Sequence, residues 1–510
     1  MVTHVGTVAF SGIEAVPVDV QVQIAPGLPA FTVVGLPDKA VAESRERVRA
    51  ALTAIGLALP PKRIIVNLAP ADLPKEGSHY DLPIVLGLMG AVGILSPDIL
   101  NRYAVLGELS LDGSISHVAG ALPAAMGANA RGLGLICPSA CGAEAAWAGD
   151  GIDILAPDNL IQLINHFKGT QVLSRPQPLK ADDGQLLPDM ADIKGQESAR
   201  RALEIAAAGG HNLLMTGPPG AGKSMLAQRL PSILPPMSAA EMLEVSMIAS
   251  VAGELAGGRI SPRRPFRAPH HSASQAAMVG GGQRARPGEM ALAHNGVLFM
   301  DELPEFLPKV LESLRQPMES AATVIARANH HVTYPARFQL IAAMNPCKCG
   351  RAGEPGFTCR RGARCADDYQ GRISGPLIDR IDLRIEVPAV RASDLMAAAP
   401  GEASDAVASR VAAARDRQRA RFHRLGVGHL RTNTQADGDL LEQIARPEAD
   451  GLKLLHQAAE QMHLSARGFH RVLKVARTLA DLADREPVTR IDIAEALSYR
   501  HVGSGMSAAA

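Results

Sequence analysis

At 510 residues, with 47% hydrophobic and 20% charged residues, the chain has a globular composition too long for one core; roughly 100 to 200 residues per domain gives three or four. Its 52 basic and 51 acidic residues leave a net charge of +1, so global charge names no partner and any nucleic-acid surface must be local. The opening MVTHVGTVAFSGIEAV lacks a basic start before an apolar run, and the longest apolar stretch, Leu82 to Leu95, contains Pro83 and is too short to span a bilayer; a cytoplasmic location is expected, with the six cysteines reduced or metal-bound.

Residues 1–167 read as a first, mixed α and β domain. Val18 to Ile24 alternates apolar and polar residues like a half-buried strand, and Asp38 to Ile55 spaces Val41, Val48, Leu52 and Ile55 at helical intervals before Gly56. Between them and the next domain, PKEGSHYD (Pro74 to Asp81) places Ser78, His79 and Asp81 together, the residue types of nucleophilic hydrolysis. Adjacency alone does not make a triad, because those roles require convergence in space. Residues 168–190 are rich in proline and charge without either periodicity, which reads as a linker.

Residues 191–390 alternate helical patterns with buried strands, the signature of a parallel α/β sheet. Here GPPGAGKS, comprising Gly217, Pro218, Pro219, Gly220, Ala221, Gly222, Lys223 and Ser224, follows the apolar strand LLMT and precedes a helix. That context suits a phosphate-binding loop: backbone N–H groups wrap the phosphates, Lys223 supplies charge, and the Ser224 hydroxyl ligates Mg²⁺. The strand GVLFM ends in Asp301 and Glu302, expected to hold the metal through water and to activate the attacking water; a surface acidic pair is the bland alternative. The strand FQLIAAM ends at Asn345, where an amide orients water in a nucleotide-binding sheet and otherwise is an ordinary turn residue. Arg380 in GPLIDRIDLRIEV suits a transition-state charge stabiliser acting on a neighbouring subunit, or a local ion pair with Asp379 or Asp382.

Cys347, Cys349, Cys359 and Cys365 fall within nineteen positions, enough thiolates for a tetrahedral zinc site, the alternative being four reduced cysteines. Cys137 and Cys141 read as structural. Residues 391–502 are nearly all helical, and 503–510 read as a disordered tail. The run from Arg410 to Arg431 carries seven arginines and one acid, suiting either a nucleic-acid backbone or a solvated helix face or subunit contact.

In this order GPPGAGKS, LFMDE, Asn345 and Arg380 resemble the Walker A, Walker B, sensor 1 and arginine finger of an AAA+ ATPase. The blocks RPFRAPHHSASQAAMVGGGQRARPGEMALAHNGVLFMDELPEF, NPCKCG and YQGRISGPLIDRID narrow the resemblance to the magnesium-chelatase-like group and its ComM/YifB family, over essentially the whole chain. LSARGFHRVLKVARTLADL is similar to that family's lid helix, with Arg467 as sensor 2. The resemblance implies an α/β fold: an N-terminal Lon-protease-like (S5 domain 2-like) α+β domain, a central AAA+ P-loop domain and a C-terminal helical lid. It also implies a homohexameric ring that hydrolyses Mg²⁺·ATP on single-stranded and branched DNA, promoting branch migration in natural transformation. An insert from about Val245 to Glu289 would project toward the pore, and Thr323 to Tyr334 would form a hairpin before sensor 1. Arg259, Arg263, Arg264, Arg267, Arg284 and Arg286 of the insert suit phosphate contacts or are solvated loop charges.

Compared with the Lon loop, His79 occupies the nucleophile's position and Leu122 the lysine's, so the first domain is expected to lack peptidase chemistry and to serve ring assembly or partner docking. Two function classes stay in view: a DNA translocase, or a magnesium-chelatase-type ATPase that remodels a protein partner. An ATP-dependent protease is disfavoured by His79 and Leu122.

Overall fold

The computed structural model describes residues 2–181, 187–282, 285–327, 330–350, 364–389 and 401–500. Arg284, Cys359 and the tail 503–510 lie outside the described residues.

The N-terminal domain is built on a mixed sheet. Its strands are β1 (Val2–Ser11), β2 (Glu14–Ala25), β3 (Ala30–Val34), β4 (Arg63–Ala69), β5 (Tyr103–Val105), β6 (Gly134–Ile136) and β7 (Ile154–Leu155), in the order β3-β4-β2-β1-β5-β6-β7. The alternation read in the second strand is real: Val18, Val20 and Val22 are buried. Helix α1 (Lys39–Ala54) starts at Asp38, whose carboxylate accepts from Val41 N, and Gly56 follows it in the left-handed region at φ 78°. The apolar stretch from Leu82 forms helix α2 (Asp81–Val92), buried along nearly its whole length against β1 and β2. Two further helices, α3 (Ala121–Ala130) and α4 (Ser139–Ala145), enclose Cys137 and Cys141. Burial pushes the Cys137 thiol well above its ordinary value and the Cys141 thiol to about 12, which suits packing and not reactivity.

The central domain begins with helix α5 (Glu197–Gly209) and holds an all-parallel sheet of β8 (Leu213–Thr216), β9 (Phe266–Arg267), β10 (Val297–Met300), β13 (Gln339–Met344) and β14 (Leu383–Glu386), ordered β9-β10-β13-β8-β14. The strands read as continuous apolar runs because both faces are covered. Leu213, Met215, Ile341 and Ala343 enter one core with α5 and the C-terminal helices, while Leu214, Leu340, Ala342 and Met344 enter the other. Helix α6 (Lys223–Ile233) follows β8 directly. An antiparallel hairpin of β11 (Ala322–Arg327) and β12 (His330–Pro335) precedes β13, where the resemblance placed one. Leu179–Lys180 pairs in parallel with Arg259–Ile260, so the segment read as linker adds an edge to the insert.

The C-terminal region comprises α8 (Ser404–Arg424), α9 (Ala449–Gln461), α10 (Ala466–Leu482) and α11 (Arg490–Ser498), with a short helix, Gly438–Ile444, between the first two. The arginine-rich run divides between exposed residues, Arg410, Arg419 and Arg424, and residues drawn into contacts within the chain. Arg410 pairs with Glu204 and Glu402, Arg415 donates to Ala207 O, Arg417 pairs with Asp484, Arg421 with Asp481, Arg424 with Glu486 and Arg431 with Glu241; Arg419 pairs with Asp416 in its own helix. Those charges fasten α8 and the turn after it to their own chain. None of the described helices is long and apolar enough to cross a membrane.

Helix α7 (Ala239–Ala252) connects all three regions. At its start Ser238 and Glu241 form a capping box, and Glu241 also pairs with Arg264 at 3.1 Å and with Arg431 of the C-terminal region at 2.7 Å. Near its end Ser250 Oγ donates to the buried Glu144 of α4, whose carboxylate also accepts from Leu122 N, and Gly120 N donates to Ser250 O. Burial would raise the Glu241 carboxyl, but the Arg264 charge, the Ser238 N–H and Arg431 outweigh it and hold it at about 2, against an ordinary 4.5. A depressed carboxyl stabilises the fold fully above its unfolded value, and that share is lost as pH falls from about 4.5 toward 2. Glu241→Gln is expected to destabilise the chain by on the order of 3 kcal/mol at neutral pH. The same variant should flatten the acid limb of stability, read by urea unfolding across that pH window.

Candidate active site

Two glycines shape the loop between β8 and α6. A Cβ on Gly217 would lie 2.1 Å from Val387 O, so only glycine lets the chain pass beside β14, and Gly222 at φ 89° turns the backbone into the first turn of α6. Lys223 opens that helix, and its Nζ donates to Gly217 O at 2.7 Å, Pro218 O at 2.9 Å and Asn345 Oδ1 at 3.2 Å. Burial lowers the Lys223 ammonium from its ordinary value, with the charges of Asp301 and Glu302 opposing that shift. Ser224 Oγ donates to Asp301 Oδ2 at 2.6 Å. This hydroxyl and carboxylate face each other beyond the C-terminal ends of β8 and β10, the two strands that flank β13, a hard oxygen pair of the kind Mg²⁺ selects. Glu302 N donates to Asp301 Oδ1 at 2.9 Å, and Glu302 itself sits at φ 52°, a left-handed conformation costing about 1–3 kcal/mol for a non-glycine residue. The loop, Asp301, Glu302 and Asn345 thus converge from β8, β10 and β13, at the point where the strand order turns back on itself.

Two neighbours of this site escaped sequence reasoning. His271 Nδ1 lies 3.2 Å from Glu302 Oε2, brought there by the turn after β9. Gln196, at φ 57°, donates to Pro388 O at 2.6 Å and Ala221 O at 3.4 Å, linking the loop's outer side to the chain after β14. Neither residue has a local pattern that announces it; only the unusual HH pair after RAP marked the first.

Arg380 and Arg467 are elsewhere. Because the five strands are parallel, the residues leading into them share the opposite edge of the sheet, about 13 Å from the phosphate-loop edge along four-residue β8. There Arg380 and Arg467 line a cavity of ≈ 1100 Å³ with Asn212, Gln339 and Asp382. Arg380 is buried, and its guanidinium pairs with Glu319 and donates to Pro376 O at 2.6 Å, in place of the expected Asp379 or Asp382. Asp382 instead takes Arg471 of α10, and Asp379 lies 3.7 Å from Arg500. Arg467, one turn before Arg471, is exposed.

In the N-terminal domain Ser78, His79 and Asp81 point apart. Ser78 Oγ donates to Glu108, the His79 ring bonds Val8 O at 2.9 Å, and Asp81 is held by Arg47 at 2.5 Å and 3.0 Å. Leu122 is fully buried. No triad forms. In the insert, Arg264 and Arg267 are committed to Glu241 and to Glu254 with Glu289, while Arg259 and Arg286 are exposed. Of the four clustered cysteines, Cys347, Cys349 and Cys365 come together and Cys359 lies outside the described residues.

Family models described as "Magnesium chelatase, subunit ChlI", "Subunit ChlI of Mg-chelatase" and "Magnesium chelatase, subunit ChlI C-terminal" match residues 189–395, 20–140 and 401–500. A protein named YifB from Escherichia coli is 43% identical over 98% of this chain and 97% of its own length. "Competence protein ComM" from Haemophilus influenzae is 41% identical over 96% of both chains. The chain belongs to the ComM/YifB family. Its central domain is a magnesium-chelatase-like AAA+ domain, as the sequence motifs implied. The "Magnesium-chelatase 38 kDa subunit" of Rhodobacter capsulatus is 27% identical over 43% of this chain and 61% of its own. The ComM/YifB likeness extends along the first domain as well, with His79 and Leu122 inside the matched span.

Proposed function

We propose that the protein is an ATP-driven motor, a homohexameric ring that moves single-stranded and branched DNA and promotes branch migration in natural transformation. ATP hydrolysis is carried by one observation: Lys223, Ser224, Asp301, Glu302 and Asn345 converge at the strand ends beside the phosphate loop. Lys223 would exchange its loop carbonyls for the outer phosphates, Asn345 would orient water, and Glu302 would accept its proton. Bound at Ser224 and Asp301, Mg²⁺ would supply neutralisation of phosphate charge. Arg380 and Arg467, on the opposite edge, are read as serving the nucleotide of an adjacent subunit, the arginine finger and sensor 2 of a shared site. The N-terminal domain is read as a Lon-like fold without peptidase chemistry, placed in the cytoplasm with the rest.

DNA as the substrate is supported by near-full-length likeness to a protein named for competence and by exposed Arg259 and Arg286 on the insert. Remodelling of a protein partner, the reading suggested by the chelatase subunits, draws on a weaker likeness, 27% identity over 43% of this chain against 41% over 96% for the protein named for competence. The deciding experiment follows ATP hydrolysis and strand separation together, with and without a labelled four-way junction, using Lys223→Ala as the inactive control. Junction-stimulated hydrolysis coupled to strand exchange is expected. Hydrolysis indifferent to DNA would sink the DNA motor and favour the protein-remodelling reading.

A further inference from the structure

Asn345, which bonds Lys223, is followed immediately by Pro346 and Cys347. Cys347 is fully buried, Cys349 is exposed, and Cys365 is buried on the short helix Arg364–Gln370. The three Sγ atoms lie within 4.8 Å of one another, with those of Cys347 and Cys349 2.8 Å apart. Cysteines that merely fill a core have no reason to gather with one of their number facing solvent. Sulfurs sharing an ion at the usual zinc–sulfur length of about 2.3 Å stand about 3.8 Å apart, so the cluster needs only sub-ångström to ångström adjustments to surround one.

The surroundings say what such an ion would hold. Gln370, at the end of the Cys365 helix, donates to Pro346 O at 2.9 Å, so both strands of the cluster meet beside the residue after Asn345. Gly350 N donates to Cys347 O at 2.9 Å and closes the turn. That turn lies against the phosphate loop: a Cβ on Gly350 would come within 2.8 Å of Pro219 Cγ.

We propose that Cys347, Cys349 and Cys365 bind a zinc ion that fixes the turn after Asn345 and, through Gly350, the surface on which Pro219 rests. Each thiol gives up its proton on binding, and a further donor completes the tetrahedron. Only the link to Pro219 and Asn345 rests on the ATPase reading; metal content is measured without reference to turnover, so the two fail separately.

The test uses full-length protein grown with zinc and purified without chelator. Elemental analysis should find about one zinc per chain. Cys347→Ser and Cys365→Ser should lower it at least tenfold, and Cys137→Ser should leave it unchanged. Cobalt exchanged into the wild-type protein should show thiolate charge-transfer absorption whose intensity counts three or four sulfurs, a result independent of whether any variant folds. Cys365→Ser should also lower kcat with nucleotide affinity retained, and Cys365→His, another zinc ligand, should restore both metal and turnover. A wild-type protein that takes up neither metal, or a Cys365→Ser variant as rich in zinc as the wild type, overturns the site. Zinc lost with turnover unchanged overturns its hold on the phosphate loop.

Discussion

Glu302→Gln is expected to keep ATP bound while lowering kcat by about 10²- to 10⁴-fold, the span attributed to a positioned general base. The amide preserves the side chain's size and can still accept from His271, which lies 3.2 Å from the carboxylate. The left-handed backbone at Glu302 and its N–H bond to Asp301 do not involve the side chain being changed. What disappears is the capacity to accept a proton from water. Phosphate release and binding of a fluorescent ATP analogue separate the two effects, and sedimentation with ATP should show the variant assembling into the ring more completely than the wild type. Unchanged turnover would remove Glu302 from the chemistry and direct attention to another base.

Arg380→Ala is expected to cost about 10³- to 10⁵-fold in kcat, the range for an arginine supplied to a transferring phosphoryl group. Its test is subunit mixing. Arg380 lies across the sheet from its own phosphate loop, so an Arg380→Ala chain keeps an intact Lys223 and a Lys223→Ala chain keeps an intact arginine. In the proposed ring, mixed interfaces would bring the two intact halves together, and equimolar mixing of two inactive proteins should recover a measurable fraction of wild-type hydrolysis. A residue acting only through Glu319 within its own chain would give no recovery at any ratio. Arg467→Ala mixed with Lys223→Ala should behave in the same way if both arginines serve one shared site.

The phosphate loop was legible because its chemistry is local: eight consecutive residues between a strand and a helix carry glycine spacing, cation and hydroxyl together. Asp301 and Asn345 were legible because buried parallel strands read as unbroken apolar runs, and the polar residue that ends such a run faces the site. His271 and Gln196 were not, since they reach the site through turns whose paths depend on tertiary packing. The arginine run around α8 shows the opposite difficulty. Its composition is that of a nucleic-acid binder, yet its partners, Glu204, Glu241, Asp481 and Asp484, are scattered along the chain and become neighbours only on folding. Similarly, Ser78, His79 and Asp81 are adjacent in sequence, but Glu108, Val8 and Arg47 draw them in different directions.

Helix α7 spans fourteen residues, about 21 Å, with its first turn tied to Arg431 of the C-terminal region and its last to Glu144 of the N-terminal domain. In mechanical language it is a crossbeam pinned at both ends, and the exposed Arg259 of the insert sits on the short strand Arg259–Ile260 that follows it. The helix shares this junction with other contacts, since Gly258 packs on Glu144 and Gly12 on Thr333 of the hairpin, so the N-terminal domain meets both the insert and the hairpin beside it. Glu144→Ala removes the buried carboxylate that Ser250 and Leu122 share, leaving the Gly120 N to Ser250 O bond as the remaining backbone tie at that end.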